Sequence, residues 1–95
     1  MASGNEPCPL PIVTNITNAN NLGPSIINIA RNMTNVPEVF GNDVVGILNF
    51  PVFSDGAVVG QIQLATVFSQ SNSAFTKIYK RRNTQEAFGD WFVMS

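Results

Sequence analysis

Residues 57–68 decide the fold class, and they read Ala-Val-Val-Gly-Gln-Ile-Gln-Leu-Ala-Thr-Val-Phe. Two sets of side chains alternate along this stretch, which is typical of a β-strand with one buried face. The more apolar set is predicted to face the core: Val58, Gly60, Ile62, Leu64, Thr66 and Phe68. The other set is predicted to be half exposed: Val59, Gln61, Gln63, Ala65 and Val67.

The segments on either side of this strand predict further strands joined by turns. Immediately before it, Asp55-Gly56 supplies the positive φ angles that a tight hairpin needs. Four more segments are rich in β-branched or aromatic residues: Ser25–Ala30, Val44–Phe53, Ala74–Arg82 and Gly89–Met94. We therefore predict a mainly β fold, a small antiparallel meander of about five strands.

The amino-terminal part predicts at most one short helical turn. Apolar residues spaced three apart in Ile16–Leu22 permit one turn, which Thr14 or Asn15 is placed to cap. Before it, a proline at every second position in Pro7–Pro11 fixes φ and disfavours helix in the preceding residue. We therefore expect an extended proline-rich arm or linker and then a single β domain, at residues 1–13 and 14–95.

The composition excludes several classes of site. The chain has no His and one Cys, Cys8, so His-dependent catalytic triads, His metal sites and an internal disulfide are excluded. Glu86 and Asp90 are four apart, but so small a domain is predicted to offer no cleft that would raise the pKa of one of them. We expect no catalytic residue, no metal, no cofactor and no enzymatic activity.

Charge and hydropathy also bear on the partners. Charged residues make up 12% of the chain and the net charge is −1, so no overall potential attracts it to nucleic acid. No apolar run reaches the roughly 18 residues of a membrane span, so we expect no membrane insertion. The predicted second face of the sheet is more apolar than a solvated face, which indicates self-association: Val59, Ala65, Val67, Phe92 and Met94.

The carboxy-terminal sequence resembles a known family. Residues 75–84 read Phe-Thr-Lys-Ile-Tyr-Lys-Arg-Arg-Asn-Thr, and residues 88–93 read Phe-Gly-Asp-Trp-Phe-Val. This resembles the closing motif of the pyocin-knob modules of phage and R-type pyocin tail fibres, a basic strand, a short loop and a Gly-x-Trp strand. Four earlier segments are similar to that family's opening turn, Asn-x-Pro loop, Gly-x-Leu strand and penultimate strand: Ile16–Gly23, Asn35–Pro37, Gly46–Phe50 and Gln61–Leu64.

The resemblance, which covers residues 14–95, implies a function. It implies a non-enzymatic, homotrimeric module of a tail fibre, carried on a virion or an extracellular phage-like particle. The implied function of this module is attachment to bacterial surface polysaccharide or lipopolysaccharide. The alternative is a purely structural trimerisation or adaptor module without a receptor site. A small binder of single-stranded nucleic acid is a third interpretation, and the near-neutral charge argues against it.

Three residues near the end of the chain are the candidate ligand-binding residues: Lys77, Tyr79 and Arg81. Their spacing of two places them on one strand face, where a sugar ring can stack on Tyr79 while Arg81 meets its hydroxyl or phosphate groups. The alternative is a charged strand edge that prevents pairing with another chain. Trp91 is a further stacking candidate, but a lone Trp in a small β domain is predicted to fill the core.

Overall fold

The protein folds as one sheet with strands in chain order. The computed structural model describes residues 12–23, 26–84 and 87–94. The described residues form six strands: β1 (Ile12–Val13), β2 (Ile26–Ala30), β3 (Val45–Ser54), β4 (Ala57–Val67), β5 (Ile78–Thr84) and β6 (Phe92–Met94). β1 pairs with β2 in parallel and all other neighbours are antiparallel. The predicted mainly β fold is confirmed, as a mixed sheet with a short additional strand.

That additional strand lies within the predicted arm. Ile12 and Val13 form β1 and pair with Ile27 and Asn28. The remainder of the arm, residues 1–11 with Cys8, lies outside the described residues. The predicted boundary at residue 13 therefore falls at the end of a strand of the sheet.

Two short 3-10 helices are the helical elements of the described chain, Ala19–Asn21 and Glu38–Phe40. The first is the single amino-terminal turn that the sequence predicts. Its cap is Asn18 rather than either predicted residue, because the Asn18 side-chain oxygen accepts a 2.9 Å hydrogen bond from the Asn20 N–H. The second lies in a segment for which the sequence predicts no regular element.

The hairpin between β3 and β4 forms at the predicted dipeptide. Asp55 and Gly56 have φ angles of 52° and 81°. Positive φ at both central residues defines the turn whose twist matches that of the flanking strands. A register shift between Val52 and Phe53, whose partners are Gly60 and Val58, places one extra residue, Val59, in β4.

The two faces of the sheet are unlike. The residues that alternate onto one face, which we name the covered face, are Ile26, Asn28, Ala30, Val45, Ile47, Asn49, Gln61, Gln63, Ala65, Val67, Tyr79, Arg81 and Asn83. Loop residues pack on it to complete the core: Ala19, Leu22, Met33, Phe40 and Ala74. The opposite face, which we name the open face, comprises Ile12, Ile27, Ile29, Gly46, Leu48, Phe50, Val52, Gly60, Ile62, Leu64, Thr66, Ile78, Lys80, Arg82, Thr84, Phe92 and Met94.

The prediction of which β4 face is buried was wrong. Gln63 and Ala65 are buried, Ile62 is exposed, and Phe68, just beyond the strand, is 77% exposed. The reason is that the Gln63 amide is hydrogen-bonded inside the protein, with Nε2 donating to the Ala19 carbonyl at 2.9 Å. A buried amide with partners carries little penalty, so hydropathy alone assigned the wrong face.

The last two strands begin later than predicted. β5 begins at Ile78 rather than at Ala74, because Asn72 organises a turn there. Its Oδ1 accepts from the Ala74 N–H at 2.9 Å and its carbonyl accepts from the Phe75 N–H at 2.9 Å. β6 begins at Phe92, so the preceding Gly-x-Trp segment is outside the strand.

Candidate functional site

The covered face contains a buried cation. Arg81 on β5 is 5% exposed, and its guanidinium donates to Gln63 Oε1 at 2.6 Å and to Asn20 Oδ1 at 2.8 Å. The guanidinium carbon lies 4.7 Å from the Trp91 ring centroid and 5.4 Å from that of Phe88. Two amides and two aromatic rings thus surround the charge, an arrangement that stabilises a guanidinium. Desolvation lowers the pKa of Arg81 to about 10, so the side chain is charged at neutral pH.

The row beside Arg81 is also polar and buried. Asn49, Gln63 and Arg81 lie side by side on β3, β4 and β5. The Asn49 amide donates to the Gly23 carbonyl and, at 3.2 Å, to Gln61 Oε1. These bonds attach the segment around the first 3-10 helix to the sheet. The row therefore stabilises the fold.

Trp91 closes this cluster from the carboxy-terminal side. Its ring is half-buried and packs against the core rather than filling it, and its indole N–H donates to the Asn35 carbonyl at 2.9 Å. Asn35 has a φ angle of 59°, which places it in the left-handed region. Two segments on which the resemblance to pyocin knobs rests, the Asn-x-Pro loop and the Gly-x-Trp segment, are therefore in contact.

The three predicted ligand residues occupy different environments. Arg81 is buried, as described above. Tyr79 is half-buried, and its ring meets the Phe40 ring edge-to-face with centroids 5.1 Å apart. Lys77 is exposed and precedes β5, with its N–H donating to the Ala74 carbonyl at 3.0 Å. The ligand-binding role of the three stays a prediction, and Lys77 is the one whose side chain is exposed.

A cleft of about 1020 Å³ lies at one end of the sheet. The sequence raised the question of a cleft only around Glu86 and Asp90 and did not predict this one. Residues 39–43 and 67–72 line it together with Arg31 and Phe75. Its two loops are about thirty residues apart in the sequence, so no local pattern could show that they meet. The sequence signal that could have indicated these loops is their high content of Asn, Gln and Ser.

Within the described ranges, no group of three or more His, Cys, Asp or Glu side chains is placed to hold a metal ion, and no helix is both long and apolar enough to cross a membrane. No protein family, no curated protein and no solved structure is significantly similar to this chain. The fold and contacts define a class, a single sheet whose covered face buries polar side chains among an apolar core and whose open face is mainly apolar.

Proposed function

We propose that this chain is a non-enzymatic structural module of the tail-fibre type that works as a homotrimer through the open face of its sheet. The open face itself carries the proposal. One of its rows crosses every strand, with each residue beside the next: Ile12, Ile27, Leu48, Leu64, Lys80 and Phe92. A single charge interrupts an otherwise apolar row.

The exposed area of this face matches one side of a protein interface. Seven of its large apolar residues are between 37% and 66% exposed: Ile12, Ile29, Phe50, Ile62, Ile78, Phe92 and Met94. With about 200 Å² for each complete side chain, they expose on the order of 700 Å². The largest apolar patch of a typical monomer is about 300–600 Å², and a stable interface buries about 800 Å² on each partner.

A second copy of the chain is the occupant that we propose. The two cations of the open face, Lys80 and Arg82, both lie on β5. The rest of the face therefore carries no charge, and a partner that covers it must present an apolar surface of similar width. Each further copy supplies such a surface, and closed symmetry lets all copies bury theirs together. The threefold order is taken from the resemblance to tail-fibre knobs.

The solution mass tests this proposal. Size-exclusion chromatography with light scattering, at tens of micromolar, is expected to give three times the chain mass of 10.3 kDa. The mass of one chain would refute the assembly. The mass of two chains would refute the threefold order and leave the open face as the interface.

Attachment to bacterial surface polysaccharide or lipopolysaccharide is a second proposed function. The cleft at the end of the sheet favours it, because none of the cleft residues belongs to the open face. Assembly through the open face therefore leaves the cleft residues outside the interface. Retention of the protein by immobilised lipopolysaccharide tests attachment, and a protein that passes unretained at millimolar ligand would refute it.

A further inference from the structure

We propose that the cleft lined by residues 39–43 and 67–72 is a saccharide-binding site, an inference that takes its ligand class from the attachment function proposed above. Its volume of about 1020 Å³ is just above the usual range for ligand sites, about 300–1,000 Å³.

The lining combines aromatic rings with neutral hydrogen-bonding groups. Phe68 and Phe75 both line the cleft and are exposed. The side chains of Asn42, Gln70 and Ser71, which also line it, are exposed as well. A pyranose ring presents an apolar C–H face that packs on an aromatic ring, and a rim of hydroxyls that pair with amides and hydroxyls. Both kinds of partner are present in this cleft.

The loops that form the cleft are tied together. The Asn72 amide donates to the Val39 carbonyl at 3.1 Å. The Asp43 carboxylate accepts from the Val44 N–H at 2.7 Å and from the Ser69 N–H at 3.3 Å. These bonds hold the two loops in place before any ligand arrives. A preformed site loses less conformational entropy on binding, so a ligand that makes few contacts, such as a single sugar, can still bind.

The same contacts argue against other ligands. Both oxygens of Asp43 accept backbone N–H groups, so this carboxylate is held in place rather than available for acid or base catalysis. Among the described lining residues, Arg31 is the one cation, whereas a nucleic-acid groove carries several. The site therefore suits a neutral or sparsely charged polysaccharide.

An NMR titration of the full chain tests the site. The probes are a panel of bacterial O-polysaccharides freed of lipid A, dextran as a neutral glucose polymer, and intact lipopolysaccharide. We expect amide shifts centred on Asn42, Gln70 and Ser71 with at least one polysaccharide. The Phe68→Ala and Phe75→Ala variants are each expected to bind it at least about tenfold more weakly, the loss of one stacking contact.

Phe53 provides the matched control, because it is 63% exposed in the β3 strand near the hairpin and does not line the cleft. Phe53→Ala is expected to bind like the parent. The proposal would be overturned if Phe53→Ala weakened binding as much as the cleft variants do. It would also be overturned if the shifts centred on Lys77 and Tyr79, or if the protein bound only intact lipopolysaccharide. The absence of shifts with every polysaccharide at millimolar concentration would overturn it as well.

The mass of each sample separates this proposal from the assembly. A trimer that binds no polysaccharide overturns the saccharide site and leaves the structural function. A monomer with shifts in the cleft overturns the trimer and supports the site.

Discussion

At the scale of single residues, the core is unusual in its buried polar side chains. Gln63 and Asn49 are fully buried and Arg81 nearly so, on one face of the sheet. Each is bonded to a backbone carbonyl or to another side chain of the cluster. A buried group that loses its partner is more destabilising than the bond was stabilising. The cluster is therefore sensitive to single substitutions that keep its volume.

Gln63→Leu tests that sensitivity. The substitution keeps a side chain of similar size but leaves the Arg81 Nε–H and the Ala19 carbonyl without their partner. We expect a loss of about 2–4 kcal/mol in the free energy of unfolding, measured by urea titration. Gln70→Leu, at an exposed position, is the control and is expected to change it by less than about 0.5 kcal/mol. An unchanged urea midpoint for Gln63→Leu would contradict the account of the cluster.

Two phenylalanines test the corrected assignment of the faces. Phe40 is 1% exposed and Phe68 is 77% exposed. Phe40→Ala is expected to cost about 3–5 kcal/mol, comparable to the whole stability of a small domain. Phe68→Ala is expected to stay within about 0.5 kcal/mol of the parent. Thermal melts followed by circular dichroism measure both, and a destabilised Phe68→Ala would restore the face assignment made from the sequence.

At the scale of elements, the segment from Gly89 to β6 is held by backbone contacts that leave no room for a side chain. A Cβ at Gly89 would collide with the Arg82 carbonyl oxygen, and the Gly89 N–H donates to Asn83 Oδ1 at 3.0 Å. This close approach explains physically why a glycine precedes Trp91 in the Gly-x-Trp segment. The glycine allows the chain to bring the indole over Arg81.

Gly89→Ala is expected to displace this segment. The new methyl group meets backbone, which cannot move without disturbing β5, so we expect a loss of about 1–3 kcal/mol. The Trp91 fluorescence should shift to the red as the ring becomes more solvated. Gly46→Ala is the matched control, since a Cβ there meets nothing within 4 Å. Equal melting temperatures and spectra for the two variants would contradict the packing described for Gly89.

The elements that could be predicted are those fixed by local sequence. The predicted Val44–Phe53 and Ala57–Phe68 strands agree with β3 and β4 to within a residue at each end, because the Asp55-Gly56 turn sets their register. The strands that began later than predicted depend on contacts from elsewhere, such as the turn that Asn72 forms. The identity of the buried face and the cleft could not be predicted, because both depend on which loops fold over the sheet.

At the scale of the whole molecule, the fold places hydrogen-bonding capacity inside and apolar surface outside. The covered face buries Asn, Gln and Arg side chains among the apolar residues of the core, whereas the open face exposes mainly Ile, Phe and Met. Hydropathy therefore predicted the wrong interior, and of the predicted apolar second face Ala65 and Val67 are buried while Phe92 and Met94 are exposed. The excess of apolar surface arises because both faces of the sheet carry apolar strand residues, whereas the loop residues of the core pack on the covered face and leave those of the open face exposed. Such a face is stable in water when another surface covers it.

Phe92→Lys tests that conclusion on the open face. Phe92 is 62% exposed and lies in the row that crosses all the strands, beside Lys80. In a monomer the substitution removes little packing, and the lysine ammonium remains in water. In an assembly it places a second cation next to Lys80 in a desolvated interface, once in every copy. An uncompensated buried charge of this kind weakens association by about 3 kcal/mol or more, at least about a hundredfold in the dissociation constant.

Phe53→Lys is the matched control, because Phe53 is 63% exposed but belongs to neither the open face nor the cleft. Sedimentation velocity across a hundredfold range of concentration distinguishes the two variants. We expect Phe92→Lys to sediment as a monomer with a parent-like circular dichroism spectrum, while Phe53→Lys keeps the parent's mass. The fold is expected to survive in both, since neither position contributes to the core cluster. Dissociation by both variants would show that added charge alone disperses the assembly, and dissociation by neither would show that the interface lies elsewhere.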